Sequence, residues 1–83
     1  MKILYFARMR QLAGRAEQDT DIPAGVKTVS ALIDFLKASD EGLAAAFADM
    51  RIVRAAVNRK HVQLDALIEG AEEIAFFPPV TGG

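Results

Sequence analysis

The sequence has no cysteine, one histidine and only three prolines. Without cysteine there is neither a disulfide staple nor a thiolate metal site, so stability has to come from the core. The net charge is −1, which gives no broad field for nucleic acid or for a membrane surface. No apolar run approaches the roughly 20 residues of a membrane span. The stretch Ile3–Ala7 is too short for a secretory signal, and Arg8 follows it directly. These absences lead to the expectation of a cytoplasmic protein without nucleic-acid or membrane partners. The glycines form no dinucleotide or phosphate-loop pattern. Glu72 and Glu73 are neighbours along a strand and face opposite sides, so they are no acid/base dyad. His61, alone beside a turn, reads as a surface residue. No metal site is expected.

What is present is a compact set of short, strongly apolar segments. A chain of 83 residues makes one domain. Chains of this size bury only about 60% of their unfolded surface, and 52% hydrophobic residues is generous for that purpose. Lys2–Arg8 reads as strand 1, with Ile3 and Tyr5 on one face and Leu4 and Phe6 on the other. Met9–Ala13 predicts a helical turn stopped by Gly14. Arg15–Ile22 reads as a polar edge strand, with Ala16, Gln18, Thr20 and Ile22 on one face, and Pro23-Ala24-Gly25 as a turn. Thr28 is the N-cap candidate for the main helix. Val29, Leu32, Ile33 and Leu36 recur on one stripe beyond it, with Phe35 alongside.

Ser39–Gly42 breaks that pattern, and Leu43–Met50 offers a short second helix with Leu43, Phe47 and Met50 inward. Ile52–Val57 reads as strand 3, Asn58-Arg59-Lys60 as a turn and His61–Gln63 as a short return strand. Leu64–Ile68 reads as irregular or a single turn, and Glu69-Gly70-Ala71 as another turn. Glu72–Phe77 is the last strand, with Ile74 and Phe76 on one face and Ala75 and Phe77 on the other. The order is α+β, with one main helix against a sheet of four or five strands. Phe6, Phe76 and Phe77 do not all fit one helix-covered face, so an uncovered apolar sheet face would be a partner site. Arg51, Arg54, Arg59 and Lys60 gather around strand 3 and its turn. They read as a solvated strand face, or else as a docking surface for an acidic or phosphate-bearing partner. Arg8 and Arg10 read in the same way.

The last residues differ in kind. Pro78 and Pro79 carry no N–H and cannot extend a ladder, so residues 78–83 read as an extended tail leaving a body of residues 1–77. Six extended residues reach roughly 20 Å. Gly82 and Gly83 have no Cβ and suit a channel too narrow for other residues. The group at the tip is the α-carboxylate of Gly83. Such a carboxyl titrates near ~3.5 and is a poor electrophile as the anion. It carries chemistry only if another protein activates it, as an acyl phosphate or adenylate.

The run Ala75-Phe76-Phe77-Pro78-Pro79-Val80-Thr81-Gly82-Gly83 resembles the C-terminus of the MoaD/ThiS family of ubiquitin-like sulfur carriers, which includes the small subunit of molybdopterin synthase. Leu4–Arg10 resembles that family's opening strand and following arginine, and Ala55-Ala56-Val57-Asn58 its mid-chain strand. The family's acidic-then-glycine step before the last strand falls at Gly70-Ala71, so Gly70 comes one position early.

The resemblance implies a β-grasp fold with a mixed sheet, its first and last strands parallel central neighbours. It implies that a ubiquitin-activating-like adenylyltransferase consumes ATP to adenylate Gly83, and that a sulfur donor converts the adenylate to a thiocarboxylate. The tail, Pro78, Pro79, Val80 and Thr81 leading Gly82 and Gly83, then enters the large subunit of molybdopterin synthase in a heterotetramer. There it delivers sulfur to cyclic pyranopterin monophosphate. Phe6, Arg10 and Phe77 match the family's docking positions. No cofactor is expected on this chain itself. Three alternatives share the tail: a thiamin-thiazole sulfur carrier, a ubiquitin-like modifier joined through Gly83, and a β-grasp interaction module with an inert tail.

Overall fold

A computed structural model describes residues 1–79. The elements run β1 (Lys2–Tyr5), α1 (Ala7–Ala13), β2 (Glu17–Asp19), α2 (Val29–Ser39), α3 (Glu41–Ala46), β3 (Arg54–Val57), β4 (Lys60–Val62) and β5 (Glu73–Phe77). The five strands form one sheet in the order β2-β1-β5-β3-β4. β1 and β5, the outermost strands in sequence, are parallel neighbours at its centre, and the other pairings are antiparallel. This is the mixed five-stranded arrangement expected, with α2 as the main helix.

Period-2 alternation sorts the strands into two faces. Ile3, Tyr5, Ala55, Ile74 and Phe76 point to one side and are buried with Val29, Leu32, Ile33 and Leu36 of α2, Met9 and Ala13 of α1, and Leu43 and Ala46 of α3. At the centre Phe47 meets Phe76 edge-on at 4.9 Å between ring centroids, and Tyr5 lies 6.2 Å from Phe76. Such pairs add roughly 0.5–1.5 kcal/mol beyond the area they bury. The three helices cover only this face.

The helices begin where side chains satisfy their first N–H groups. Thr28 caps α2, its Oγ1 accepting from Ala31 N at 3.1 Å. Asp40 caps α3, its Oδ1 accepting from Leu43 N at 2.8 Å. That bond first, and then the Arg15 guanidinium at 2.7 Å, hold the Asp40 carboxyl below its ordinary range. Because of this cap α3 starts at Glu41 and not at Leu43, and it ends at Ala46; Met50 falls in a 3₁₀ turn over Met50–Ile52. The Asp49 side chain accepts from Arg51 N at the start of that turn. Strand 3 is accordingly shorter than Ile52–Val57.

Strand 1 also stops early. Phe6 N donates the final ladder bond to Phe76 O, and Ala7 takes a left-handed φ of 51°. The chain then turns at once into α1, which absorbs the expected Met9–Ala13 turn. Gly14, at φ 74°, ends α1 by donating to Arg10 O, a conformation that suits a residue without Cβ. Strand 2 contracts to Glu17–Asp19 at the sheet edge. Of the residues expected to share one face of it, Gln18 accepts from the Tyr5 hydroxyl at 3.0 Å and from Arg15 at 3.1 Å.

Candidate functional site

Among the described residues no element covers the face opposite the helices, and the strand register maps it row by row. The middle row reads Glu17, Leu4, Ala75, Ala56, His61. Ala75 and Ala56 are only 8% and 5% exposed although no helix lies over them. One row toward the end of β5, Phe77 stands across the ladder from Arg54. Phe6 follows one residue beyond the Tyr5–Phe76 pair, on the same face. The row at the other end is Asp19, Lys2, Glu73. Apolar and aromatic surface therefore lies toward the C-terminal end of β5, and the face's carboxylates lie away from it.

Phe6 is 50% exposed. Its backbone is nonetheless fixed, since its N–H donates to Phe76 O and its carbonyl accepts from Met9 N and Arg10 N. Phe6 thus stands half-exposed on a backbone held by three hydrogen bonds. The His61 ring lies 5.0 Å from that of Phe77 and extends the aromatic surface to β4. Phe76, by contrast, is fully buried among the helices. The three phenylalanines thus divide between the two faces.

β5 is bonded on both sides, by β1 and by β3, and Phe77 leads directly into Pro78 and Pro79, both half-buried. The expected tail therefore departs from the middle of the sheet, beside Phe6 and Phe77. Arg10 is exposed on α1, one helical turn past Phe6. Val80, Thr81, Gly82 and Gly83 lie outside the described residues.

The basic cluster read from the sequence does not form one surface. Asn58 and Arg59, at φ 48° and 69°, make a two-residue hairpin turn between β3 and β4. Arg59 and Lys60 are thereby placed at one end of β3, and Arg51 and Arg54 at the other. Arg51 is taken up by Asp49 and Arg59 stands 4.0 Å from Glu73. Asn58 adds an anchor the sequence did not announce. Its Oδ1 accepts from Glu72 N and Glu73 N, tying the hairpin to the start of β5. Among the described residues no group of three or more His, Asp or Glu is placed to hold a metal ion.

Comparison with known proteins places the chain in context. The family model described as "ThiS family" matches residues 3–83. The molybdopterin synthase sulfur carrier subunit of Escherichia coli (strain K12) is 40% identical over 83 residues, covering 100% of this chain and 99% of the relative. The subunit of the same name from Mycosarcoma maydis is 33% identical over 89 residues, covering 100% and 92%. Among solved structures, SAMP1 from Haloferax volcanii superposes with a TM-score of 0.75 at 25% identity, covering 100% of this chain and 98% of that one. A putative molybdopterin converting factor subunit 1 from Pyrococcus furiosus gives 0.73 at 34% identity, covering 95% of each.

Proposed function

The chain belongs to the ThiS family, and from that premise we propose that it is the sulfur-carrier small subunit of molybdopterin synthase, acting through Gly83. The observation that carries this reading is the junction of β5 with the tail. A strand held on both sides by its neighbours runs straight into Pro78 and Pro79, next to an uncovered apolar face. The body is thus built to dock while the Gly82-Gly83 tip reaches elsewhere. The four residues past Pro79 extend at most roughly 14 Å, far enough to enter a buried active site in a partner.

The chemistry follows from the carboxylate. An oxygen of Gly83 attacks the α-phosphorus of ATP on a ubiquitin-activating-like adenylyltransferase, and pyrophosphate leaves. A sulfur donor equivalent to hydrosulfide attacks the resulting acyl adenylate at carbon, and AMP leaves. The product is a thiocarboxylate, a far better nucleophile than the carboxylate it replaces. On the large subunit it gives its sulfur to cyclic pyranopterin monophosphate, and hydrolysis returns the Gly83 carboxylate for another cycle. Two small and two large subunits make up the assembly, and the cycle runs in the cytoplasm. In this reading the chain is the mobile sulfur-bearing part of a sulfurtransferase, and the large subunit and the activating enzyme supply the catalytic groups.

The test is the intact mass of the protein isolated from cells that contain its pathway partners. A species heavier by the exchange of one oxygen for sulfur, mapped by fragmentation to Gly83, is expected. Unmodified carboxylate alone, with activating enzyme, ATP and sulfur donor all supplied, would overturn the proposal.

A further inference from the structure

We propose that Arg54, with His61 and Gln63 beside it, is a receptor for a carboxylate side chain of the protein that takes up the tail. The inference rests on the reading that the open face docks, and it names the chemistry the partner must bring to one corner of that face.

Three observations point there. The first is position. Arg54 is paired across the ladder with Phe77, the last strand residue before Pro78. A protein that covers Phe6 and Phe77 while receiving the tail also covers Arg54. The second is the state of the side chain. Arg54 is exposed, and its guanidinium donates through Nη1 to two backbone carbonyls, of Arg51 at 3.2 Å and Val53 at 3.0 Å. These bonds hold the group in place without neutralising it, and among the described residues no carboxylate pairs with it. The third is the distribution of charge. At the other end of the face Lys2 meets Glu17 at 3.5 Å, Arg59 approaches Glu73 at 4.0 Å, and the Met1 amine meets Asp19 at 3.3 Å. Those three cations have partners on the same chain, whereas among the described residues Arg54 has none, nor do Arg8 and Arg10 on α1 or Lys60 at the hairpin.

Burial supplies the argument. A guanidinium covered by an apolar interface without a counter-charge is strongly unfavourable, whereas one that meets a carboxylate in fork geometry is well satisfied. Arg54, His61 and Gln63 line a common cleft at the β3–β4 edge. All three side chains can donate to the same acidic group. A partner presenting Asp or Glu here gains a charge-assisted contact; one presenting Lys or Arg is rejected. Complementarity of this kind acts mainly on selectivity and on the rate of encounter.

The experiment is a titration of the full chain against its purified large subunit, at about 50 mM and about 500 mM salt, where the Debye length falls severalfold. Arg54→Glu is expected to weaken binding about tenfold or more at low salt, with the difference shrinking at high salt, as for a charge at an interface rim. Arg54→Gln is expected to fall between, Arg54→Lys to recover part of the affinity, and Arg59→Gln at the far end to bind like wild type. Phe6→Asp serves as the control on the docking face itself. If Phe6→Asp abolishes binding while Arg54→Glu keeps wild-type affinity and salt dependence, the carboxylate receptor is wrong and the docking face stands. If Phe6→Asp binds normally, the docking face is wrong and the inference fails with it. Arg54 is exposed and outside the core, so unchanged melting curves are expected to show that its variants fold.

Discussion

Phe6 and Tyr5 are adjacent, and the single peptide bond between them separates a half-exposed aromatic residue from a fully buried core residue. Tyr5 is the only tyrosine in the chain, and burial pushes its hydroxyl above the ordinary phenol range, with Arg15 opposing that shift and Asp40 adding to it. The folded state therefore favours the neutral phenol. The stability this contributes is complete below the unfolded value, ordinarily near ~10, and is lost as pH rises beyond it. Alkaline titration followed by tyrosinate absorbance is expected to show no free ionisation near pH ~10 in the folded protein, with the signal appearing together with loss of helical circular dichroism. A phenol that titrates freely while the helices persist would contradict the burial.

The same residues mark how far the sequence could be read. Alternation in Ile3–Phe6 gave the two faces at once. It gave no sign that the strand ends at Tyr5, because the turn is made by Ala7 in a left-handed conformation that alanine does not advertise. The four basic residues around strand 3 looked adjacent because sequence proximity ignores a hairpin, whose strand length sets the pairs apart.

At the level of elements, α3 shows why helix ends were harder to place than helix faces. Thr28 was legible as a cap because an apolar stripe begins just after it. Asp40 was not, because it sits in Ser39–Gly42, a run with a glycine and two carboxylates that reads as a break. The glycine there has a packing role. A Cβ at Gly42 would stand 3.3 Å from the carbonyl oxygens of Leu12 and Ala13, so α1 and α3 approach closely at this point. Gly42→Val is expected to force the two helices apart and to destabilise by roughly 1–3 kcal/mol. For a domain of this size each kcal/mol lowers Tm by about 4–8 °C. Calorimetry checks it, and a Tm at or above wild type would show that the contact is slack. The Tyr5–Gln18–Arg15–Asp40 chain of hydrogen bonds joins β1 and the edge strand β2 to the cap of α3. Such a network links side chains 35 residues apart in sequence, and none of them formed a motif.

For the whole molecule, the proposed function gives body and tail separate purposes, and their separation is testable. Deleting Gly82-Gly83 is expected to leave Tm and affinity for the large subunit close to wild type while abolishing sulfur transfer. A fall of Tm by several degrees, or a loss of binding, would mean that the tip contributes to the fold or to docking. The end of β5 at Phe77 was the most legible boundary in the sequence, since Pro78 and Pro79 cannot extend a ladder whatever packs around them. The choice between the two faces was the least legible, because both were apolar and only the placement of three helices decided it.

The central position of β5 also has a mechanical consequence. A pull on residues beyond Phe77 runs along the strand axis, roughly across the hydrogen bonds to β1 and β3, so these bonds are loaded together in shear and are not peeled one after another. A load applied through Phe77 is therefore shared between two neighbouring strands from the start.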